Sequence, residues 1–302
     1  MAEKILLALG GGGVKGIAHL GVVACLLDHN YEIEGIAGTS AGGMFGAPLA
    51  ALVPPQEIFI QVVDFFKNPD LKRDKKKDGP SLAGTHGLET ALAPFIEDKL
   101  IEDLPIKFVA TAVSLKTEKE VLLDSGELMH AVLATIAIPG VFPPIGDEEL
   151  VDGGVLDPVP VLPARALNPS LPIVAVVLNT KDPDAPQADQ LLGESDPLTD
   201  LIVDRLSRTV LGESLDIANK GLGLRGDKLA ELSLENSKPD VIVRPLVAQH
   251  GPLSNVNPQE LYDEGYRAMK SQLKALEEAN SLINSLIRIA KYSTAHKTDN
   301  KK

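Results

Sequence analysis

The sequence predicts an α/β layered domain built around a mostly parallel sheet. Short, nearly continuous apolar runs alternate along the chain with segments whose apolar residues have helical spacing. Continuous apolar runs are typical of strands buried on both faces, as in parallel sheets. Alternating strands and helices are typical of α/β folds, because each helix carries the chain back to the start of the next parallel strand.

Five apolar runs predict the strands, and four longer segments predict helices that cover the sheet. In chain order, the strand runs are KILLAL, IEGIAG, IKFVATAVSL, PIVAVVLNT and DVIVRPLV. The predicted helices are GIAHLGVVACLLDHN, GLETALAPFIEDKL, PLTDLIVDRLSRTVLGESLDIANKGL, and one or two helices within NPQELYDEGYRAMKSQLKALEEANSLINSLIRIAKY. We assign these helices a covering role rather than a chemical one.

Length and composition favour one domain with a short tail. With 302 residues, of which 44% are hydrophobic, the chain can bury a sizeable core without a disulfide or a metal. We expect one domain over residues 1–292, with the motifs within about 4–161. The last ten residues, 293–302, carry little apolar surface, so we expect them to be disordered.

The net charge and the cysteine content argue against some classes of protein. A formal net charge of −13 argues against nucleic-acid binding, which needs a clustered basic face. The single Cys25 excludes an internal disulfide and fits a reducing compartment. No apolar run approaches the roughly 18 residues of a membrane span, so we expect a cytoplasmic protein. The basic run at 72–77 leaves membrane-surface contact open, although such a run is usually a solvated loop.

A glycine run, GGGGVKG, follows the first predicted strand and opens the first predicted helix. Gly11, Gly13 and Gly16 match the GxGxxG pattern of dinucleotide sites. That site also needs an acidic residue about 20 positions on, at the end of the next strand, and this sequence has glycine and serine there. A Walker loop needs Ser or Thr after its lysine, whereas Gly16 follows Lys15. Both nucleotide interpretations therefore lack their second element.

The second predicted strand ends in GTSAGG, which contains a GxSxG motif. Gly38, Ser40 and Gly42 form it at a strand-to-helix transition. Small residues allow the sharp turn that lifts the serine hydroxyl clear of the backbone, and the dipole of the following helix favours developing negative charge. Ser40 is therefore a candidate nucleophile.

The glycine run and the serine motif close consecutive strands. If these strands are adjacent and parallel, both loops lie at the same carboxyl edge of the sheet. The amides of Gly11, Gly12 and Gly13 could then stabilise the oxyanion formed when Ser40 attacks a carbonyl, at about 3 kcal/mol per good donor. Lys15 either adds positive charge there or faces solvent.

A serine nucleophile needs a base, and the sequence offers two kinds. None of the six histidines lies in a motif typical of a triad. Asp152, in EELVDGGVLDPVP, is followed by Gly153 and Gly154, which could present its carboxylate from a loop; an ordinary Asp-Gly turn is the alternative. A Ser40, Asp152 and His250 triad has the chain order of α/β-hydrolases and remains a second possibility.

Several motifs in order resemble the patatin-like phospholipases. They are GGGVKG, GTSAG and DGG, followed by AIPGVFPPI (137–145), DGGVLDPVPV (152–161) and a late RPLV…EGYRAM. The resemblance covers about residues 4–270. It implies a three-layer α/β/α fold and a Ser-Asp dyad without histidine, in which Ser40 attacks a lipid acyl ester and Asp152 accepts its proton.

The resemblance also implies that the glycine loop is the oxyanion hole, that no cofactor or metal takes part, and that the enzyme meets its lipid at a membrane or micelle surface. Release of the acyl group to water is expected. Transfer of that group to another alcohol stays open, as does a nucleotide-binding or non-catalytic protein that keeps the loop for structure.

Three residues depart from the usual family pattern. Lys15 stands where arginine is commoner, Thr135 where serine is frequent, and Asp157 where asparagine is commoner. A lysine replaces a bidentate contact by a point charge. We expect none of the three to touch the dyad, so activity should survive while rate or substrate choice shifts.

Overall fold

The structure is a computed structural model that describes residues 2–67, 81, 83–179, 225–250, 256–281 and 288. The predicted helix at 197–222, the basic run at 72–77 and the predicted disordered tail at 293–302 lie outside the described residues. Those three expectations stay predictions.

Strands and helices alternate along most of the described chain. The strands are β1 (Glu3–Leu9), β2 (Tyr31–Thr39), β3 (Lys107–Ser114), β4 (Lys119–Leu123), β5 (Leu150–Asp152), β6 (Ile173–Val176) and β7 (Val241–Val243). The helices are α1 (Ile17–Asp28), α2 (Ala41–Ala50), α3 (Pro55–Lys67), α4 (His86–Ile96), α5 (Leu128–Thr135), α6 (Val161–Leu167), α7 (225–237) and α8 (Pro258–Ala279). Short 3₁₀ turns cover Gly13–Gly16, Ile101–Asp103 and Gly153–Val155.

The described strands form one mixed sheet in the order β4-β3-β2-β1-β6-β7, with β5 paired to β3. The five central neighbours β3, β2, β1, β6 and β7 are parallel, as the five apolar runs predict. Strands β4 and β5, which both pair antiparallel to β3, are not among the five predicted strands. Both are short, so neither carries a long apolar run.

Alternate residues of the central strands enter two hydrophobic layers. In β1, Ile5, Leu7 and Leu9 pack into the larger layer with residues of α1, α2, α5 and α8, whereas Leu6 and Ala8 face residues of α6 and α7. Helices therefore cover both faces of the sheet. The prediction of a three-layer α/β/α fold with a mostly parallel sheet is confirmed.

Two glycines allow α1 and α8 to pack closely. A Cβ built on Gly21 would lie 1.9 Å from the Tyr262 carbonyl oxygen, and one built on Gly265 would lie 1.9 Å from that of Ala18. Any side chain at either position would push the helix backbones apart. Because α1 directly follows the glycine loop, this contact helps to fix where that loop lies.

Candidate active site

The pairing of β3 brings the ends of β2 and β5 together. The parallel partner β2 reaches Thr39, which pairs with Thr111. At the next position of β3, Ala112 pairs with Asp152 of β5. Strand β4 pairs with one side of β3 from Ala110 to Ser114. Strand β5 therefore pairs with the other side of β3, where it begins directly after the end of β2. The residue after β2, Ser40, and the last residue of β5, Asp152, therefore meet.

Ser40 lies at a strained turn between β2 and α2. Its φ of 54° and ψ of −122° place a non-glycine residue at positive φ, which is sparsely populated. The Ser40 amide donates to the Thr135 hydroxyl at 2.9 Å, and the residue is 7% exposed. This turn carries the hydroxyl to the N-terminus of α2, where the helix dipole favours negative charge.

Close packing explains the two glycines of the GxSxG motif. A Cβ on Gly38 would lie 2.5 Å from the Gly42 carbonyl oxygen, and a Cβ on Gly42 would lie 1.9 Å from that of Leu9. The turn thus folds tightly against its own start and against the end of β1. A larger residue at either position would displace Ser40.

Asp152 is buried beside Ser40. A polar interaction with the Ser40 side chain favours the ionised Asp152 carboxylate, and the Gly154 amide donates to Asp152 Oδ1 at 2.7 Å. Burial raises the pKa of Asp152 from 3.8 to about 6, and these two interactions oppose that rise. The carboxylate is therefore mostly ionised at neutral pH, yet it is a stronger base than an exposed aspartate.

The glycine loop lies against Ser40. A Cβ on Gly11 would be 3.2 Å from Ser40 Cβ, so the backbone of the loop approaches the serine where a side chain would intervene. The Gly11 amide donates to the Pro158 carbonyl oxygen at 3.0 Å. The amides of Gly12 and Gly13 have no acceptor within the described part of the chain. Of the three expected oxyanion donors, these two are the ones not already bonded.

His19 and Asn179 hold the carbonyls of the glycine loop. His19 Nε2 lies 2.9 Å from the Gly10 carbonyl oxygen, which requires that this nitrogen carry the proton. Burial lowers the pKa of His19 to about 4, so the ring is neutral. Asn179 Nδ2 donates to the Gly11 carbonyl oxygen at 3.2 Å. Neither residue belongs to the glycine, serine or aspartate motifs.

Lys15 is buried, so the alternative of a solvent-facing lysine is wrong. Its side chain is 4% exposed and its ammonium donates to Asn179 Oδ1. Burial lowers the pKa of Lys15 from 10.5 to about 8, and Asp227 on α7 opposes that fall. The Lys15 ammonium therefore faces Asn179, whose side chain contacts the glycine loop.

Three residues differ from the usual family pattern, and we expected none of them to contact Ser40 or Asp152. For Thr135 that expectation is wrong. Its hydroxyl accepts the Ser40 amide, because α5 ends beside the strand-to-helix turn. Asp157 forms no hydrogen bond with Ser40 or Asp152 within the described residues, but its carbonyl oxygen accepts a hydrogen bond from the Thr39 hydroxyl at 2.9 Å. Burial and the nearby Glu120 raise the pKa of Asp157 to about 7. The packing of distant elements produces these contacts, so the sequence pattern carried no signal for them.

Burial and the nearby charge of Lys15 lower the pKa of His250, the histidine of the alternative triad. His250 Nε2 is 3.1 Å from Gln249 Nε2, and within the described residues no histidine hydrogen-bonds Ser40 or Asp152. The same part of the chain contains no group of three or more His, Cys, Asp or Glu side chains placed to hold a metal ion. Among its helices, none is long and apolar enough to cross a membrane.

A serine on a strained turn that lies beside a buried carboxylate and a glycine loop is typical of α/β serine hydrolases. The model of the family described as patatin-like phospholipase matches residues 7–165, more than half of the chain. The chain belongs to the patatin-like phospholipase family. The resemblance stated from the motifs is confirmed.

Two relatives with similar sequences have NTE in their names. The chain is 36% identical over 182 residues to an uncharacterized NTE family protein of Mycobacterium tuberculosis, which covers 59% of this chain and 50% of that protein. It is 26% identical over 307 residues to "Lysophospholipase nte1" of Emericella nidulans, covering 91% of this chain and 18% of that protein. The chain thus spans half or less of the length of these curated relatives.

Among solved structures, the crystal structure of VipD from Legionella pneumophila is similar to this chain with a TM-score of 0.44 and 13% sequence identity. The similarity covers 92% of this chain and 67% of that one.

Proposed function

We propose that this chain is a serine lipid acyl hydrolase of the phospholipase A or lysophospholipase type, with Ser40 as nucleophile and Asp152 as proton acceptor. The observation that carries the proposal is that Ser40, on a strained turn, lies beside the buried carboxylate of Asp152 and interacts with it. Membership of the patatin-like phospholipase family supports a lipid ester as substrate. The name of the Emericella nidulans relative supports a lysophospholipid among the candidate substrates.

In the first half-reaction, Ser40 Oγ attacks the acyl carbonyl carbon while its proton passes to Asp152. The carbonyl electron pair moves onto oxygen, and the amides of Gly12 and Gly13 stabilise that oxyanion. When the tetrahedral intermediate collapses, the ester C–O bond breaks and the protonated Asp152 returns the proton to the leaving alcohol. The product is an ester between the acyl group and Ser40.

In the second half-reaction, water replaces the alcohol. Asp152 takes a proton from water as its oxygen attacks the acyl carbon, and the same amides stabilise the second oxyanion. Collapse breaks the bond to Ser40 Oγ, which recovers its proton from Asp152. A carboxyl group with a pKa near 6 suits both roles, because it accepts and returns a proton close to neutral pH.

Hydrolysis of an ester panel tests this proposal. The panel runs from short esters through lysophospholipids to bilayer phospholipids and neutral glycerides. Ser40→Ala and Asp152→Ala should each abolish hydrolysis while leaving the protein folded. Ser170→Ala is the matched control, because Ser170 hydrogen-bonds Asn168 in the segment before β6, at the opposite end of the sheet. It should keep wild-type turnover.

Turnover by Ser40→Ala or Asp152→Ala at the wild-type rate would overturn the dyad. A wild-type protein that cleaves none of these esters would favour a nucleotide-binding or non-catalytic protein instead. Loss of activity in a His250→Ala variant equal to the loss in Ser40→Ala would favour the triad.

The proposal includes contact with a lipid surface, since bilayer phospholipids are presented at one. The basic run at 72–77 is the segment proposed to meet anionic headgroups. Neutralising its five basic residues should weaken co-sedimentation with anionic liposomes. Unchanged co-sedimentation would remove this segment from the proposal.

A further inference from the structure

We propose that Asn179 is a positioning residue of the oxyanion loop, which acts with Lys15 to aim the Gly12 amide at the reacting carbonyl oxygen. This inference rests on the proposed function, because it assigns that amide a role in ester hydrolysis. Asn179 lies outside the glycine, serine and aspartate motifs. Its role follows from two contacts made by its side-chain amide.

The fold brings the end of β6 against the glycine loop. In the parallel pair of β1 and β6, Leu9 lies opposite Val176, and the Gly10 amide donates to the Val176 carbonyl oxygen at 3.0 Å. Further along, a Cβ on Gly12 would lie 2.8 Å from Leu178 Cδ1. Leu178 therefore packs against Gly12, and the next residue, Asn179, lies beside Gly11.

The contact between Asn179 and Gly11 fixes the direction of the next amide. Asn179 Nδ2 donates to the Gly11 carbonyl oxygen at 3.2 Å. A trans peptide is planar, and its C=O and N–H point in opposite directions. Holding the Gly11 carbonyl on the Asn179 side therefore turns the Gly12 N–H away from Asn179. Glycine has unusual backbone freedom, so the orientation of a peptide between two glycines must be fixed by a contact from another residue.

Lys15 fixes the orientation of the asparagine. An ammonium offers only donors, so the side-chain oxygen of Asn179 must face Lys15, and its NH₂ group is then directed at Gly11. The Lys15 side chain is buried, and Asp227 on α7 acts on its charge. Lys15 therefore acts on the oxyanion loop through Asn179.

Two substitutions separate the parts of this arrangement. Asn179→Leu is similar in size and removes both contacts. Asn179→Asp keeps an acceptor for Lys15 but cannot donate to the Gly11 carbonyl oxygen when ionised. Lys15→Met removes the group that orients the asparagine, whereas Lys15→Arg keeps a donor at the same place.

The test measures kcat and KM for ester hydrolysis in these variants. Asn179→Leu and Asn179→Asp should each lower kcat roughly 10- to 100-fold with KM within about twofold, as for a weakened oxyanion donor. Lys15→Arg should retain more activity than Lys15→Met. The double variant Lys15→Met, Asn179→Leu should be no slower than Asn179→Leu alone, because both residues act through one contact.

Asn168→Ala is the matched control. Asn168 also makes a partly buried side-chain amide contact, to Glu34 Oε1 at 2.7 Å, but it precedes β6 at the far end of the sheet. It should lose stability without a change in kcat. Wild-type kcat in Asn179→Leu, or kcat losses of Lys15→Met and Asn179→Leu that add in the double variant, would overturn the inference.

A second measurement does not depend on activity. In NMR spectra of the full chain, Asn179→Leu should shift the backbone amide resonance of Gly12, because the Gly11–Gly12 peptide loses the contact that orients it, and Asn168→Ala should not. An unchanged Gly12 amide in Asn179→Leu would overturn the inference whether or not an ester substrate is found. Retained hydrolysis by Ser40→Ala would instead overturn the proposed function.

Discussion

At the scale of single residues, burial sets the chemistry of Asp152. The carboxyl group has lost most of its water, and its pKa of about 6 lies well above the ordinary 3.8. The sequence motif DGG presented Asp152 as a candidate base, but a motif does not reveal burial. The pKa shift belongs to the folded structure, where the pairing of β5 with β3 buries this residue.

The first prediction concerns the pH dependence of activity. Asp152 accepts a proton only when ionised, so kcat/KM for ester hydrolysis should rise with pH through about 6 and level off above it. A pH–rate profile between about pH 4.5 and about pH 8 measures this. A midpoint near 4, as for an exposed aspartate, would contradict the assigned environment.

The second prediction concerns stability. Since the folded pKa of Asp152 is higher than the unfolded one, the folded protein binds its proton more tightly, and the cost of ionising the buried group grows as pH rises from about 4 to about 6. Asp152→Asn removes that cost. Its free energy of unfolding should exceed the wild-type value by about 3 kcal/mol at pH 8 and by much less at pH 4. Urea unfolding at both pH values measures it, and an equal difference at both would contradict the prediction.

The third prediction concerns Thr135. Thr135→Val leaves the buried Ser40 amide without its acceptor, which should cost about 1–3 kcal/mol of stability and lower kcat as the turn relaxes. Thr135→Ser keeps the acceptor and is the matched control, so it should stay close to wild type in kcat. Equal kcat values for the two variants would show that the hydroxyl does not support the turn.

At the scale of elements, the ends of four strands assemble the site. Loops after β1, β2 and β6 lie side by side because these strands are parallel neighbours, and β5 adds Asp152 beside Ser40. The sequence predicted the first two loops, since continuous apolar strands precede both. It could not predict that β5, only three residues long, would take the place of β2 along β3.

The fourth prediction concerns the contact between α1 and α8. Gly21→Ala places a methyl group where the Tyr262 carbonyl oxygen now lies, so it should lower the free energy of unfolding by about 1–3 kcal/mol or more. Gly226→Ala in α7 is the matched control: a Cβ there meets nothing within 4 Å, and alanine should slightly stabilise the helix. Chemical denaturation compares them. Equal stability of the two variants would contradict the close packing.

At the scale of the whole molecule, the fold class and the candidate dyad could be predicted from the sequence, whereas the supporting contacts could not. The motifs and their order predict Ser40 and Asp152, and the alternation of apolar runs with helical segments predicts the fold class. Thr135 and Asn179 lie far from Ser40 and Gly11 in sequence, and only the packing of α5 and β6 brings them into contact. The single-domain boundary at 292 stays a prediction.

The most direct test of the central claim is fluorophosphonate labelling followed by peptide mass spectrometry. The probe reacts with an activated serine, so the wild-type protein should carry one adduct, on the peptide that contains Ser40. Labelling should disappear in Ser40→Ala, slow by at least about 100-fold in Asp152→Asn, and stay at the wild-type rate in Ser170→Ala. An adduct on another residue, or labelling of Asp152→Asn at the wild-type rate, would contradict the Ser40–Asp152 dyad.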